Sequence, residues 1–193
     1  MLTDFAAAAR PAIVLTAAFF ALTGLAYPLA VTGLSQAVFA DAAGGSLIRR
    51  DGHVIGSGLI GQGFAADGYF HPRLSAAGKG YDPLQSGGSN LGPTARPLIA
   101  RVAADLAANP GAPADLLTTS ASGLDPDISP QAAEWQVRRV AAARHLAPAR
   151  VLALVDGAVQ MPLLGMIGEP HVNVLRLNLA LDNLTATGAQ PPR

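Results

Sequence analysis

The sequence predicts an α+β protein: one N-terminal transmembrane helix followed by a single mixed α/β soluble domain. Three observations lead there. No charged residue occurs between Arg10 and Asp41, a run of about thirty, where roughly twenty apolar residues suffice to cross the hydrocarbon layer as a helix. Half of the 193 residues are hydrophobic and only 13% are charged, against about a quarter in ordinary soluble domains, and much of that bias lies near the N-terminus. The roughly 150 residues that remain are enough for one core and too few for two, and they mix helical and alternating apolar spacings.

Residues 1–10 read as a short tail and 11–40 as the membrane helix. Ile13, Val14, Leu15, Phe19, Phe20, Leu22, Leu25, Leu29 and Val31 each favour insertion by about 0.3–0.6 kcal/mol, or about 3–5 kcal/mol together. Ala17, Ala21 and Gly24 fall at helical spacing and make a smooth face against which another membrane helix can pack. A cleaved signal peptide is the rival reading, because Ala37-Val38-Phe39-Ala40 resembles a small-residue cleavage site. Against it stand an apolar stretch about twice the usual length and Tyr27-Pro28 inside it. Arg10 and Arg49-Arg50 flank opposite ends, so charge leaves the orientation open.

Residues 41–184 read as the soluble domain. Ser46 to Ile60 predicts a hairpin turning at Asp51-Gly52. Gly78 to Pro93 is a long loop rich in Gly, Ser and Asn, of a length that is often functional. Leu98, Val102 and Leu106 share a face and predict a helix from Pro97 to Ala108, followed by a short strand, Leu116 to Thr119. Ser129-Pro130 is an N-cap followed by a first-turn proline, opening a helix to about Arg144. Leu146 to Val155 predicts a second short helix, and the alternation of Leu175, Leu177, Leu179 and Leu181 predicts a strand over Val172 to Leu181. Residues 185–193 read as a flexible tail.

Several chemistries are excluded by composition. Net charge is zero and the basic residues are scattered, so no field suits nucleic acid. There is no cysteine, which removes disulfides, thiolate metal sites and thiol nucleophiles. His53, His71, His145 and His171 show no ligand spacing, so no metal site is predicted. Gly56 to Gly61 spells a dinucleotide fingerprint, but Gln62-Gly63-Phe64 does not open the helix that motif requires. Gly87 to Thr94 has phosphate-loop spacing with Pro93 where the lysine belongs; backbone N–H groups from Gln85 through Ser86, Gly87, Gly88 and Ser89 to Asn90 remain a candidate anion or nucleotide nest. The Ser and Asp residues from Ser120 to Ser129 read as turn and cap formers, and Trp135 as helix-face packing. No catalytic residue is predicted.

Several long runs carry a resemblance. Tyr81 to Thr94 (YDPLQSGGSNLGPT), Thr118 to Pro130 (TTSASGLDPDISP), Gln136-Val137 with Arg139-Val140-Ala141, and Gly168-Glu169-Pro170 with Val172 to Asp182 (VNVLRLNLALD) resemble the C subunit of the Kdp potassium-transporting ATPase, from about residue 10 to 182. Ala95, Asp127 and His171 depart from the usual pattern. The resemblance implies a single span in the plasma (inner) membrane, with 41–184 on the extracytoplasmic side. It implies three partners: a channel-like potassium-binding subunit, a P-type ATP-hydrolysing subunit and a very small membrane subunit. It further implies an accessory, non-catalytic role as a chaperone that raises the ATP affinity of the hydrolysing subunit. The family's Gln-Ser-Gly-Gly stretch, here Gln85 to Gly88, has been likened to a nucleotide-contacting signature.

A domain outside the membrane cannot touch ATP bound inside, so the expected topology favours indirect coupling through the membrane helix. No tightly bound cofactor is expected, and ATP enters only through the complex. The phosphorylation motif of P-type pumps is absent, and one helix cannot line a filter. The alternative is an exported or anchored domain that binds a small anionic or nucleotide ligand at Ser86 to Asn90.

Overall fold

The structure, a computed structural model, describes the backbone of residues 2–188 and the side chains of 7–184. It divides into two units, Met1–Leu47 and Ile48–Arg193.

The first unit is one long helix and a turn. Helix α1 (Leu2–Phe19) passes into a π-helical segment (Phe20–Ala26) and then into α2 (Tyr27–Val38) without leaving helical dihedrals. The helix begins at Leu2, so residues 2–10 are helical where a tail was expected. Ala6 to Ala9 are the strongest helix formers available and carry the helix ahead of Pro11, which lies within α1. Pro28 has no N–H to give the helical ladder, and the widened turns of the π segment end just before it. Phe39 leaves helical dihedrals (φ −131°, ψ 51°), and the short α3 (Ala40–Ala43) follows. Over Ala7–Val38, 32 residues, the helix is long and apolar enough to cross a membrane and none of it is buried; it is the one such helix among the described residues.

The second unit opens with the expected hairpin, β1 (Leu47–Arg50) and β2 (His53–Ser57). Asp51 (φ 52°) and Gly52 (φ 80°) both take the positive φ that a two-residue hairpin turn requires. Residues 58–95 contain no regular helix or strand. Helix α4 (Arg96–Ala108) forms as its spacing predicts. The expected strand at Leu116 to Thr119 is instead a single helical turn, α5 (Ala114–Leu117), and only Thr119 bridges to another segment, at Leu74. Pro113 takes the N-cap position and Asp115 sits in the first turn, where an acid is favoured, and together they outweigh the strand propensity of four residues.

A three-stranded antiparallel sheet in the order β3 (Asp127–Ile128), β5 (His171–Asn173), β4 (Val159–Gln160) packs with three helices. These are α6 (Pro130–Arg144), α7 (Pro148–Ala158) and α8 (Val174–Gly188). Ile128 and Val159 both pair with Val172, which fixes the register. Ser129 caps α6, its Oγ accepting from the Ala132 N–H at 3.0 Å. At the other end His145 adopts φ 55°, while the N–H groups of His145 and Leu146 close on Ala142 and Ala141.

The largest departure is at the C-terminus: the expected strand over Val172 to Leu181 stops at Asn173, and α8 takes its place. Burial explains why. Val174, Leu177 and Leu181 are buried at helical spacing, whereas Leu179 is only partly covered and Arg176 is exposed. Asn173 supplies the start signal, its Oδ1 accepting from the Arg176 N–H at 3.2 Å in the manner of an N-cap. The tail expected at 185–193 is helical as far as Gly188; residues 189–193 lie outside the described residues. Ala133, Val137, Val140 and Ala141 of α6, Val151 and Val155 of α7, Leu177 and Leu181 of α8, with Val172 and Phe70, form the core.

Candidate functional site

Two buried amides hold the irregular segment before the glycine loop. The Asn178 side chain accepts from the Phe70 N–H at 2.8 Å and donates to the Phe70 carbonyl at 3.0 Å. Gln136 does the same for His71, at 2.7 and 3.0 Å, and its Nε2 also donates to the Ala132 carbonyl at 3.2 Å. Each amide replaces the strand neighbour that this stretch lacks, so backbone groups in the core keep their partners. Arg139 continues the network, donating to Gln136 Oε1 at 2.7 Å and to the carbonyls of Asp67 and Tyr69 at 2.6 and 3.0 Å. Burial lowers the pKa of its guanidinium. Two amides on otherwise apolar helix faces were the sequence signal for this clamp.

The glycine loop is built on Ser75 and on the turn at 120–123. Ser75 Oγ donates to the Gly123 carbonyl and accepts from the N–H groups of Ala77 and Tyr81, at 2.5, 3.1 and 2.8 Å. Gln85 Nε2 donates to Asp82 Oδ2 at 2.8 Å. Ser86 Oγ and the Gly87 N–H both donate to the Ser122 carbonyl, at 2.9 and 2.8 Å. A Cβ on Gly88 would stand 2.9 Å from the Ala121 carbonyl, so this glycine lets two backbones meet. Of the candidate nest's backbone donors, those of Gln85 and Gly87 are engaged on the Asp82 and Ser122 carbonyls, and the side-chain donors of Gln85 and Ser86 are engaged as well. Ser89 is half-buried and Asn90 is exposed with φ 53°. The six residues lie together on one surface loop, and Ser86, Gly87 and Gly88 pack against the turn at 120–123.

The Ser and Asp run from Ser120 to Ser129 is organised as turns. Ser122 Oγ accepts from the Leu124 N–H and Asp125 Oδ1 from the Asp127 N–H, both at 3.1 Å. Asp125 pairs with Arg73 at 3.0 Å, and Asp127 accepts from Asn173 at 2.9 Å. These carboxylates, with Asp115, Glu169 and His171, line an open cleft of about 280 Å³. Burial pushes the Asp127 carboxyl above its ordinary range, against the hydrogen bond from Asn173 and the nearby His171. The dinucleotide-like glycines serve packing as well: β2 ends inside the motif, the Gly58 carbonyl accepts from Asn173 at 3.0 Å, and a Cβ on Gly61 would lie 2.5 Å from the Asp125 carbonyl. Trp135 is half-buried on α6, beside Gly111 and Pro113.

On the membrane helix, Ala17 borders a shallow apolar groove with Ala12, Ile13, Thr16 and Phe20. Ala21 and Gly24 fall in the π segment, and the Phe20 ring lies 3.5 Å from where a Cβ on Gly24 would be. The Phe20 ring thus borders two of the small residues, Ala17 and Gly24. Thr23 satisfies its hydroxyl within the helix, on the Phe19 carbonyl at 2.7 Å.

Comparison with known proteins agrees with the resemblance seen in the motifs. The family model described as K+-transporting ATPase, c chain, matches residues 9–183. The potassium-transporting ATPase KdpC subunit of Caulobacter vibrioides is 59% identical over 180 residues, which cover 90% of this chain and 91% of that one. Those of Rhodospirillum rubrum and Myxococcus xanthus are 57% and 54% identical, covering 90% and 94% of this chain and 94% and 89% of their own. With the family model spanning both the apolar helix and the α+β domain, this chain belongs to the KdpC family, the C chain of K+-transporting ATPases.

Proposed function

We propose that the protein is the accessory, non-catalytic subunit of a high-affinity ATP-driven potassium uptake complex. It assembles or stabilises that complex in the plasma membrane and raises the ATP affinity of the hydrolysing subunit indirectly. Its partners in this reading are the channel-like potassium-binding subunit, the P-type ATP-hydrolysing subunit and the small membrane subunit, with the α+β domain outside the cytoplasm. The observation that carries the reading is the family match over residues 9–183, together with a 32-residue apolar helix, Ala7–Val38, long and apolar enough to cross a membrane.

Coupling through that helix needs no nucleotide contact: a subunit that binds one conformational state of the pump better than another shifts the equilibrium between them by that difference. The engagement of Gln85, Ser86 and Gly87 inside the domain favours this indirect route over direct contact with ATP. The test is co-purification from detergent-solubilised membranes. The full chain is expected to retain the other three subunits, and a chain whose residues 11–38 are replaced by an unrelated transmembrane sequence is expected to lose most of them. Equal retention by both would remove the helix from the account.

A further inference from the structure

We propose that the loop between β4 and β5, residues 161–168, is a docking knob that inserts into an apolar socket on another subunit of the potassium-transporting ATPase. The proposal rests on the subunit reading above and names the surface of the α+β domain through which it would act.

Elsewhere in the domain exposed large apolar residues such as Leu84, Ile99 and Leu106 stand apart or in pairs, whereas this loop gathers five of them. Met161, Leu163, Leu164, Met166 and Ile167 are consecutive or nearly so, and they are 71%, 66%, 79%, 81% and 63% exposed. Scattered apolar residues on a surface need no explanation, but a contiguous set at one tip marks an interaction site. The tip is also preformed. Leu163 and Ile167 exchange both backbone hydrogen bonds, at 3.0 and 3.1 Å, and the N–H groups of Gly165 and Met166 close on Pro162 and Leu163 at 3.0 and 3.2 Å. The N–H groups of Leu163, Gly165, Met166 and Ile167 are thus satisfied within the loop, and these four can enter a dry environment without being stranded. Leu164 holds φ 55°, an unfavourable conformation for a large side chain, and in doing so stands at the apex.

Composition and charge decide between a protein and a bilayer as the occupant. Between Arg150 and Arg176 the charged side chains are Asp156 and Glu169, so the knob is flanked by acids and would be repelled by anionic headgroups. It has no Trp or Tyr to sit at a headgroup boundary and no Lys or Arg to anchor there. It has two methionines, whose flexible and polarisable side chains suit protein sockets, and no charge at its centre, as in the cores of protein interfaces.

The test places a benzophenone amino acid at Leu164 in the full chain, expressed with the other subunits in native membranes, with exposed Gln131 as the control position. Irradiation is expected to join the Leu164 probe to another ATPase subunit at least tenfold more than the control, with the adduct identified by mass. Adducts confined to lipid, adducts only to a second copy of this chain, or a yield equal to the control would each overturn the proposal. Independently, L164E with M166E is expected to reduce co-purification of the other subunits about tenfold while the purified chain keeps its melting curve in detergent. Undiminished co-purification would overturn the proposal, and should the variant fail to fold, the cross-link decides alone. If the unmodified chain does not retain the other subunits, the subunit reading fails and this proposal with it; if it retains them and the probe finds none, only the knob is wrong.

Discussion

Gln136 and Asn178 show how single side chains replace a missing strand. Each satisfies a donor and an acceptor of one residue of the irregular segment, the buried Phe70 for Asn178 and the half-buried His71 for Gln136, and removing Asn178 leaves both Phe70 groups unpaired at a cost of about 1–3 kcal/mol apiece. Asn178→Ala is therefore expected to destabilise the chain by about 2–6 kcal/mol in urea unfolding of the detergent-solubilised protein. A loss below about 1 kcal/mol would mean that water takes over the bonds. Asp127 gives a prediction in pH. Because burial raises its pKa above the ordinary 3.8, the folded state favours the protonated carboxyl. That contribution is full below the unfolded value and is lost as pH rises through the folded one. Asp127→Asn keeps an acceptor for Asn173 and should melt higher than the parent near pH 7, with the gap closing below about pH 4. These roles were illegible in the sequence because an amide reads the same whether it faces water or a buried backbone; only its position on an otherwise apolar face hints at the difference.

At the scale of elements, local signals were legible and competing periodicities were not. Asp51-Gly52 marks its hairpin, Ser129-Pro130 its helix start, and Leu98, Val102 and Leu106 their helix, because each signal acts within one turn. Leu175, Leu177, Leu179 and Leu181 alternate as a strand would, yet Val174, Leu177 and Leu181 also satisfy a helix. The cap at Asn173 and the core against α6 and α7 settle that ambiguity in favour of the helix. The glycine loop shows the complementary case: its composition announced a special segment without revealing that Gly88 meets a backbone while Gly87 has room. Gly88→Val is accordingly expected to lower the melting temperature by several degrees, and Gly87→Val to leave it nearly unchanged. The Gly87 variant is then the clean probe of function, and an altered ATP dependence of the complex carrying it would assign the loop a direct role that the indirect account denies.

The whole molecule joins two solvents in one chain. An apolar helix with no buried residues and an α+β unit with its own core are both matched by one family of ATPase subunits, and the apolar run and the motif series were each visible in the sequence. What the sequence hid at this scale is the π segment before Pro28, whose widened turns place the Phe20 ring against Gly24 where a bare small-residue face was expected. Phe20→Ala is expected to weaken retention of the other subunits if that ring packs against a neighbouring helix, as co-purification would report. In the proposed function this chain acts on ATP hydrolysis without touching ATP. It is tested most directly by the ATP dependence of potassium-stimulated hydrolysis, measured on the complex with this chain, without it, and with Gly87→Val. Omission is expected to raise the ATP concentration needed for half-maximal rate or to abolish the stimulation, while Gly87→Val behaves as the parent; an unchanged ATP dependence on omission would overturn the proposed function.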